Sequence, residues 1–186
     1  MKRIAVYCGS KPGTRPAYLA AAQELGAELA RAGIGVVYGG GATGLMGAVA
    51  NAALAQGGAV IGVIPRRMVV KEVVHEALTE LHIVETMHER KALMAQLADG
   101  FIALPGGYGT YEEFFEILTW SQLGWHLKPL ALYNVDGFYS RLLEFLDHST
   151  TEGFIKPQHH GKLIVGRDTE TILRSLREFR PATEVS

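Results

Sequence analysis

The residues best suited to chemistry lie at positions 105–113, where the sequence reads PGGYGTYEE. This run follows an apolar segment, residues 101–104, and leads into an amphipathic helical pattern. A strand that ends in a glycine turn and enters a helix presents backbone N–H groups and the positive end of the helix dipole, and both bind anions such as phosphate. A carboxylate beside an anion site repels the ligand. Its presence therefore predicts chemistry on a phosphorylated substrate as well as binding.

The same run also fits a structural role. Thr110 and Glu113 have the spacing of a capping box, in which the threonine hydroxyl accepts from the N–H three residues on and the glutamate accepts from the N–H of the threonine. A helix start of that kind does not need the glycines around it. Glu112 and Glu113 lie about 100° apart on a helix, so only one of them is expected to face a ligand. The spacing leaves open which one.

Arg90 and Lys91 are the second candidate pair. They fall near the start of a predicted helix, where the helix dipole disfavours cations by up to ~1 kcal/mol. One interpretation is a solvated charge pair without a function in binding. In the other, Arg90 grips a phosphate or a sugar with two parallel hydrogen bonds and Lys91 adds a second charge. The residues alone leave both interpretations open.

Short apolar runs alternate with helical patterns along the chain. The predicted strands are residues 4–8, 35–38, 59–64, 81–84, 101–104, 129–133 and 163–165. The predicted helices are residues 17–32, 45–56, 87–98, 111–123, 138–151 and 169–179, the last with Asp168 as its N-cap. The strand runs are continuously apolar, which is typical of strands that helices cover on both faces. This pattern predicts an α/β fold with a doubly wound, mostly parallel sheet of about seven strands and helices on both faces.

Three glycine-rich turns follow predicted strands and should meet at one edge of that sheet. They are Gly9-Ser10, residues 39–41 and Gly106-Gly107. The second turn matches neither a G-x-G-x-x-G fingerprint after the first strand nor a P-loop, and its glycines could also serve only a tight turn and close packing. Ligands of such sheets bind at the carboxyl ends of the strands, where the strand order reverses. A phosphate-bearing ligand is therefore predicted at this edge.

Composition limits the classes of protein that fit. A chain of 186 residues, 48% of them apolar, can form one full core, so residues 1–180 are expected to form a single domain and residues 181–186 a frayed tail. The net charge of −1 gives no reason to expect a nucleic acid or an anionic membrane as partner. No apolar run approaches the ~20 residues that span a bilayer. The single cysteine, Cys8, cannot form an internal disulfide, so a cytoplasmic protein is expected.

The histidines do not indicate a metal site. His159 and His160 are adjacent, so their side chains do not share a face, and their neighbours are typical of a loop. No spacing of histidine, cysteine and carboxylate residues matches a metal motif. Neither a metal nor a cofactor is expected.

Two motifs together resemble those of a known family. Residues 87–91, with the sequence MHERK, precede the P-G-G-x-G-T-x-x-E run. This combination resembles the LOG ("Lonely guy") family of cytokinin riboside 5′-monophosphate phosphoribohydrolases, which are often described as possible lysine decarboxylases. The resemblance covers nearly the whole chain and includes CGS at 8–10, GGG at 39–41, GLMG at 44–47, VIP at 63–65 and NVDGFY at 134–139. At residues 11–13 the chain has KPG where a serine-rich turn is more usual.

The resemblance implies a Rossmann-like α/β fold and a homodimer with its pocket near the dimer interface. It implies hydrolysis of the N-glycosidic bond of a nucleoside 5′-monophosphate, AMP or a cytokinin riboside 5′-monophosphate, to a free base and ribose 5-phosphate. Arg90 and Glu113 are the implied catalytic residues. The implied substrate-binding residues are these two with Glu72, Lys91, Gly106, Gly107, Tyr108, Gly109, Thr110 and Thr119.

The chemistry of the residues agrees with that activity. Cleavage of an N-glycosidic bond develops positive charge at the anomeric carbon, and a carboxylate near the ribose stabilises it. The alternative hypothesis is a carrier of a nucleotide or a phosphorylated cofactor, similar to molybdenum-cofactor carriers, without chemistry. Arg90 and Glu113 favour the enzyme because a carrier has no need of them. The preferred base is left open.

Overall fold

The computed structural model describes residues 1–69 and 74–180 and contains one seven-stranded sheet in the order β4-β3-β2-β1-β5-β6-β7. All neighbouring strands pair in parallel. The strands are β1 Arg3–Tyr7, β2 Gly35–Tyr38, β3 Val60–Pro65, β4 Glu80–Val84, β5 Gly100–Ala103, β6 Leu130–Tyr133 and β7 Ile164–Gly166. The helices are α1 Pro16–Arg31, α2 Gly44–Ala55, α3 Arg66–Val69, α4 Met87–Leu97, α5 Tyr108–Gln122, α6 Ser140–Thr151, α7 Pro157–His160 and α8 Thr169–Glu178, with a 3₁₀ turn at Val135–Gly137.

This architecture confirms the α/β prediction, and each predicted strand is present within one residue of its expected ends. Asp168 caps α8 as expected, since its carboxylate accepts from the N–H of Thr171 at 2.7 Å. The prediction of a loop at His159 and His160 was wrong. Both lie in the short helix α7, which Pro157 starts because its fixed φ suits a first helical position.

The core lies on both faces of the sheet. In β1, Ile4 and Val6 pack into the cluster on the side of α1, α2 and α8, whereas Ala5 and Tyr7 pack into the cluster on the side of α4 and α5. Successive strand residues point to opposite faces, so a strand covered on both sides must be apolar throughout. This explains the unbroken apolar runs. Within the described ranges, no helix is both long enough and apolar enough to cross a bilayer.

The strand order reverses at β1. This strand pairs with β2 on one side and with β5 on the other. The chain therefore leaves β1 toward β2 and leaves β5 in the opposite direction, toward β6. A crevice forms at such a point at the carboxyl ends of the strands. The three glycine-rich turns follow β1, β2 and β5, and the fold therefore brings them together as predicted.

Candidate active site

A cavity of about 540 Å³ opens at the carboxyl ends of β1, β2 and β5. Gly9, Gly39 and Gly106, one from each glycine-rich turn, line it together with Arg90 and Glu113. Arg90 comes from α4 and Glu113 from α5, both of which cover the same face of the sheet. The cavity thus joins a glycine turn at a helix start to a pair of opposite charges.

Arg90 and Glu113 form a buried ion pair. Arg90 Nη1 lies 3.3 Å from Glu113 Oε1, and each side chain is 9% exposed. Arg90 Nε also donates to the carbonyl oxygen of Val63 at 3.0 Å, which fixes the guanidinium against β3. Burial raises the pKa of the Glu113 carboxyl above its ordinary value, and the positive charge of Arg90 opposes this rise. The site therefore holds a desolvated carboxyl group next to an anchored cation.

The capping-box interpretation of Thr110 and Glu113 was wrong. Helix α5 begins at Tyr108 with Gly107 as its N-cap, and no side chain caps it. Thr110 is inside the first turn, where it is buried, and Glu113 reaches Arg90 instead of its own helix start. A threonine and glutamate do cap α4, where Thr86 Oγ1 accepts from the N–H of Glu89 at 3.1 Å.

The two helix starts at the cavity differ in what their N–H groups do. In α2, the N–H groups of Leu45 and Met46 donate to the carbonyl oxygen of Gly9 at 3.0 and 3.4 Å. In α5, the first-turn N–H groups receive no side-chain cap. Side chains added at Gly107 and Gly109 would meet nothing within 4 Å, so the space in front of this helix start is open. An anion in the cavity is therefore best placed at α5.

Gly106 keeps the turn before α5 tight. A Cβ atom on this residue would lie 2.6 Å from Thr110 Cβ and 3.0 Å from the backbone nitrogen of Gly9. Neither atom can move easily, because the backbone of α5 sets the position of Thr110 Cβ and the Gly9 N–H donates to the carbonyl of Pro105 at 3.0 Å. The turn and the first strand are thus packed directly against each other.

Gly106→Ala is expected to raise the KM for a phosphorylated substrate about 10-fold, because the displaced turn no longer aims its N–H groups at one point. Steady-state kinetics with circular dichroism as a folding check would measure this. Gly161→Ala is the matched control, since Gly161 has a φ of −65° and lies at the end of α7. An unchanged KM in folded Gly106→Ala would contradict the assignment of this turn.

Other predicted binding residues lie outside this cavity. Lys91 Nζ is buried between the carboxylates of Glu112 and Glu116 and pairs with both, the second at 3.0 Å. Thr119 is exposed on α5 and its hydroxyl donates to the carbonyl oxygen of Phe115 at 2.7 Å. Glu113, not Glu112, therefore lines the cavity. Glu72 falls in residues 70–73, outside the described part of the chain.

The predicted residues that the structure brings together around the cavity are Arg90, Gly106, Gly107, Tyr108, Gly109, Thr110 and Glu113. Sequence reasoning missed the apolar wall of the cavity, to which Tyr18, Met46 and Phe138 contribute. Tyr18 and Phe138 meet edge to face with ring centroids 5.6 Å apart. Phe138 lies in the segment 134–139 that contributes to the family resemblance, which was the available signal for it, whereas Tyr18 has the sequence position of an ordinary core residue.

Solved structures share this fold. The molybdenum cofactor carrier protein of Chlamydomonas reinhardtii superimposes with a TM-score of 0.73 at 22% identity, covering 95% of this chain and 96% of that one. The molybdenum cofactor binding protein of Rippkaea orientalis gives a TM-score of 0.72 at 22% identity over 95% of each chain. At this level of identity the likeness concerns the fold alone.

Sequence relatives are much more similar. The family model described as "Possible lysine decarboxylase" matches residues 46–176. The cytokinin riboside 5′-monophosphate phosphoribohydrolase of Rhodococcoides fascians is 50% identical over 177 residues, which is 95% of this chain and 89% of the relative. The enzyme of the same name, LOG, from Oryza sativa subsp. japonica is 50% identical over 184 residues, 99% of this chain and 76% of the relative. The chain therefore belongs to the LOG family of phosphoribohydrolases, the family also described as possible lysine decarboxylases.

Proposed function

We propose that the protein hydrolyses the N-glycosidic bond of a nucleoside 5′-monophosphate, AMP or a cytokinin riboside 5′-monophosphate, to the free base and ribose 5-phosphate. With a cytokinin riboside the product is an active cytokinin-type base. One observation carries the proposal: the buried Glu113 carboxyl and its Arg90 partner lie in the same cavity as the uncapped start of α5. An anion site and a group that stabilises a cation are thereby placed side by side.

The substrate phosphate binds at the N–H groups of the first turn of α5. Glu113 is three residues beyond Thr110 on the same helix, about 4.5 Å along its axis, so a ribose that extends from the phosphate lies next to the carboxylate. The phosphate is remote from the bond that breaks. Its binding energy can therefore be used to hold the ribose in the reactive position.

Glu113 acts on the ribose. As the bond between C1′ and the base breaks, the bonding electrons leave with the base and positive charge develops on the ribose, which the carboxylate stabilises. Water then bonds to C1′ and loses one proton, which passes to the departing base directly or through Glu113, so that the products are the neutral base and ribose 5-phosphate and the carboxylate is restored. Arg90 positions the carboxylate and, through its charge, favours the ionised form. The apolar wall with Tyr18 and Phe138 is available to the base.

The carrier hypothesis is the weaker one. The relatives at about 50% identity are named as hydrolases, whereas the molybdenum cofactor carriers share only the fold at 22% identity. A carrier also has no use for a buried carboxyl group in an anion site, where it weakens binding.

A panel of nucleoside 5′-monophosphates tests the proposed function. AMP, GMP, CMP, UMP and a cytokinin riboside 5′-monophosphate are each incubated with the protein, and released base is quantified by chromatography. Adenosine is the matched control without phosphate and should have a kcat/KM at least about 100-fold lower. Tight binding of one nucleotide without base release from any would support the carrier instead.

The activity is expected to decline on acidification at a higher pH than it would if Glu113 had the pKa of an ordinary glutamate. Burial raises the pKa of Glu113, so its carboxylate is lost on acidification at a pH above 4.5, the ordinary value. The folded protein also binds this proton more tightly than the unfolded chain. The group's contribution to the free energy of unfolding is therefore fully present below 4.5 and is lost as the pH rises through the raised pKa.

Two measurements check this. The kcat at saturating AMP should fall with an acid midpoint above 4.5, and ¹³C NMR of glutamate-labelled protein, compared with Glu113→Gln, should place the titration of this carboxyl in the same range. A Glu113 carboxyl that titrates at or below the ordinary value contradicts the assignment.

The homodimer and the cytoplasmic location stay predictions. Lys91 and Thr119 are implied substrate contacts that lie outside the cavity of their own chain, which agrees with a site that a second copy completes.

A further inference from the structure

Three charged residues line the cavity in residues 1–69 and 74–180: Lys11, Arg90 and Glu113. Arg90 is occupied, because it pairs with Glu113 and donates to Val63. The opposite charges of Arg90 and Glu113 compensate each other. Within the described part of the chain, this leaves Lys11 as the cation available to a bound anion.

The backbone of Lys11 lies next to the start of α5. A Cβ atom on Gly9 would lie 3.1 Å from the carbonyl oxygen of Lys11 and 3.3 Å from Gly106 Cα. Gly9 therefore lies between the backbone of Lys11 and the turn before α5. The four-carbon stem of a lysine is long enough to bring its ammonium group in front of that turn.

The loop that carries Lys11 is held at both ends. On one side, Thr43 Oγ1 donates to the carbonyl oxygen of Ser10 at 3.3 Å, and a Cβ atom on Gly44 would lie 2.5 Å from the nitrogen of Lys11. On the other, Arg15 Nη1 pairs with Asp136 Oδ2 at 2.6 Å. The backbone of Ser10 and Lys11 is therefore packed against the start of α2, while Lys11 is exposed.

We propose that Lys11 binds the 5′-phosphate of the nucleotide and sets the preference for phosphorylated over unphosphorylated nucleosides. This rests on the proposed function, since it assigns the phosphate of that substrate. A phosphate monoester carries a charge close to −2 at neutral pH, whereas a helix N-terminus supplies only about half a positive charge. Lys11 would add a full positive charge to the partial charge of the helix start.

Binding of AMP and of adenosine, measured by isothermal titration calorimetry, tests this inference when Lys11 and Lys11→Gln are compared in a Glu113→Gln background, in which AMP is expected to stay intact during the titration. The variant should bind AMP about 10-fold more weakly, the loss expected for one charge-assisted hydrogen bond, while its affinity for adenosine stays the same. Lys11→Arg keeps the charge and should restore most of the affinity for AMP. Lys156→Gln, which changes an exposed lysine at the start of α7, is the control and should bind AMP as the wild type does. In turnover, Lys11→Gln should lower kcat/KM for AMP about 10-fold and leave kcat/KM for adenosine unchanged.

The outcomes separate this inference from the proposed function. Unchanged affinity for AMP in Lys11→Gln, or an equal loss of affinity for AMP and adenosine, overturns the role of Lys11 even if the wild type releases adenine. AMP that binds through Lys11 and is never cleaved supports the role of Lys11 and overturns the proposed hydrolysis.

Discussion

Glu113→Gln is expected to lower kcat for base release by about 10²–10⁴-fold, the range in which a positioned carboxylate acts in general acid–base and electrostatic catalysis. The substitution keeps the shape of the side chain next to Arg90. It removes the negative charge that stabilises the developing cation, about 3–5 kcal/mol of transition-state free energy. The affinity for AMP should stay the same or increase, because the carboxylate repels the phosphate.

Glu112→Gln is the matched control for this prediction. Glu112 neighbours Glu113 on α5, but its side chain is 54% exposed and pairs with Lys91 outside the cavity. Its kcat is expected to stay within about threefold of the wild type, as for most exposed substitutions. Single-turnover kinetics with AMP would separate the chemical step from binding. Full activity in Glu113→Gln, or an equal loss in both variants, contradicts the role of Glu113.

Gly39→Ala should reduce kcat/KM about 100-fold although it replaces neither Arg90 nor Glu113, because small displacements of positioning groups can have effects of that size. A Cβ atom on Gly39 would fall far inside contact distance of Arg90 Nη2 and 3.1 Å from Met46 Sδ. The guanidinium is the end of a flexible side chain and would move away from the added methyl group. It would then no longer hold the Glu113 carboxylate in place.

Gly39 directly follows the end of β2, and Gly35→Ala, at the start of this strand, provides the comparison. A Cβ atom there would make only ordinary contacts, at 3.5 Å from the carbonyl oxygen of Ala59. Thermal unfolding of both variants would show whether the fold persists, and kinetics would show whether only Gly39→Ala loses activity. If both variants keep wild-type kcat/KM, the position of Arg90 does not matter for the reaction.

The sheet could be predicted because each strand is a short apolar run buried on both faces. The start of α5 could not. Gly107 and Gly109 are poor helix formers, so the sequence indicates a loop until Tyr111, whereas α5 already begins at Tyr108. Packing of Gly106 against Thr110 and Gly9 decides where the helix begins, and that contact joins distant parts of the chain.

The pairing of charges also depended on information that spacing does not contain. Arg90 and Lys91 are adjacent cations, and Glu112 and Glu113 are adjacent carboxylates. The rotation of α4 and α5 about their axes selects Arg90 with Glu113 for the cavity and Lys91 with Glu112 for the outside. Resemblance to a family implied Arg90 and Glu113 as the catalytic residues, but only the packed helices show which carboxyl group faces the cavity.

The most direct test of the account is to identify which bond of AMP the protein breaks. AMP is incubated with the wild-type protein, and ¹H and ³¹P NMR follow the products. Hydrolysis of the N-glycosidic bond should give adenine and ribose 5-phosphate in equal amounts, with the phosphate still esterified to the ribose. Adenosine with inorganic phosphate, or AMP that stays intact while it is bound, would contradict it.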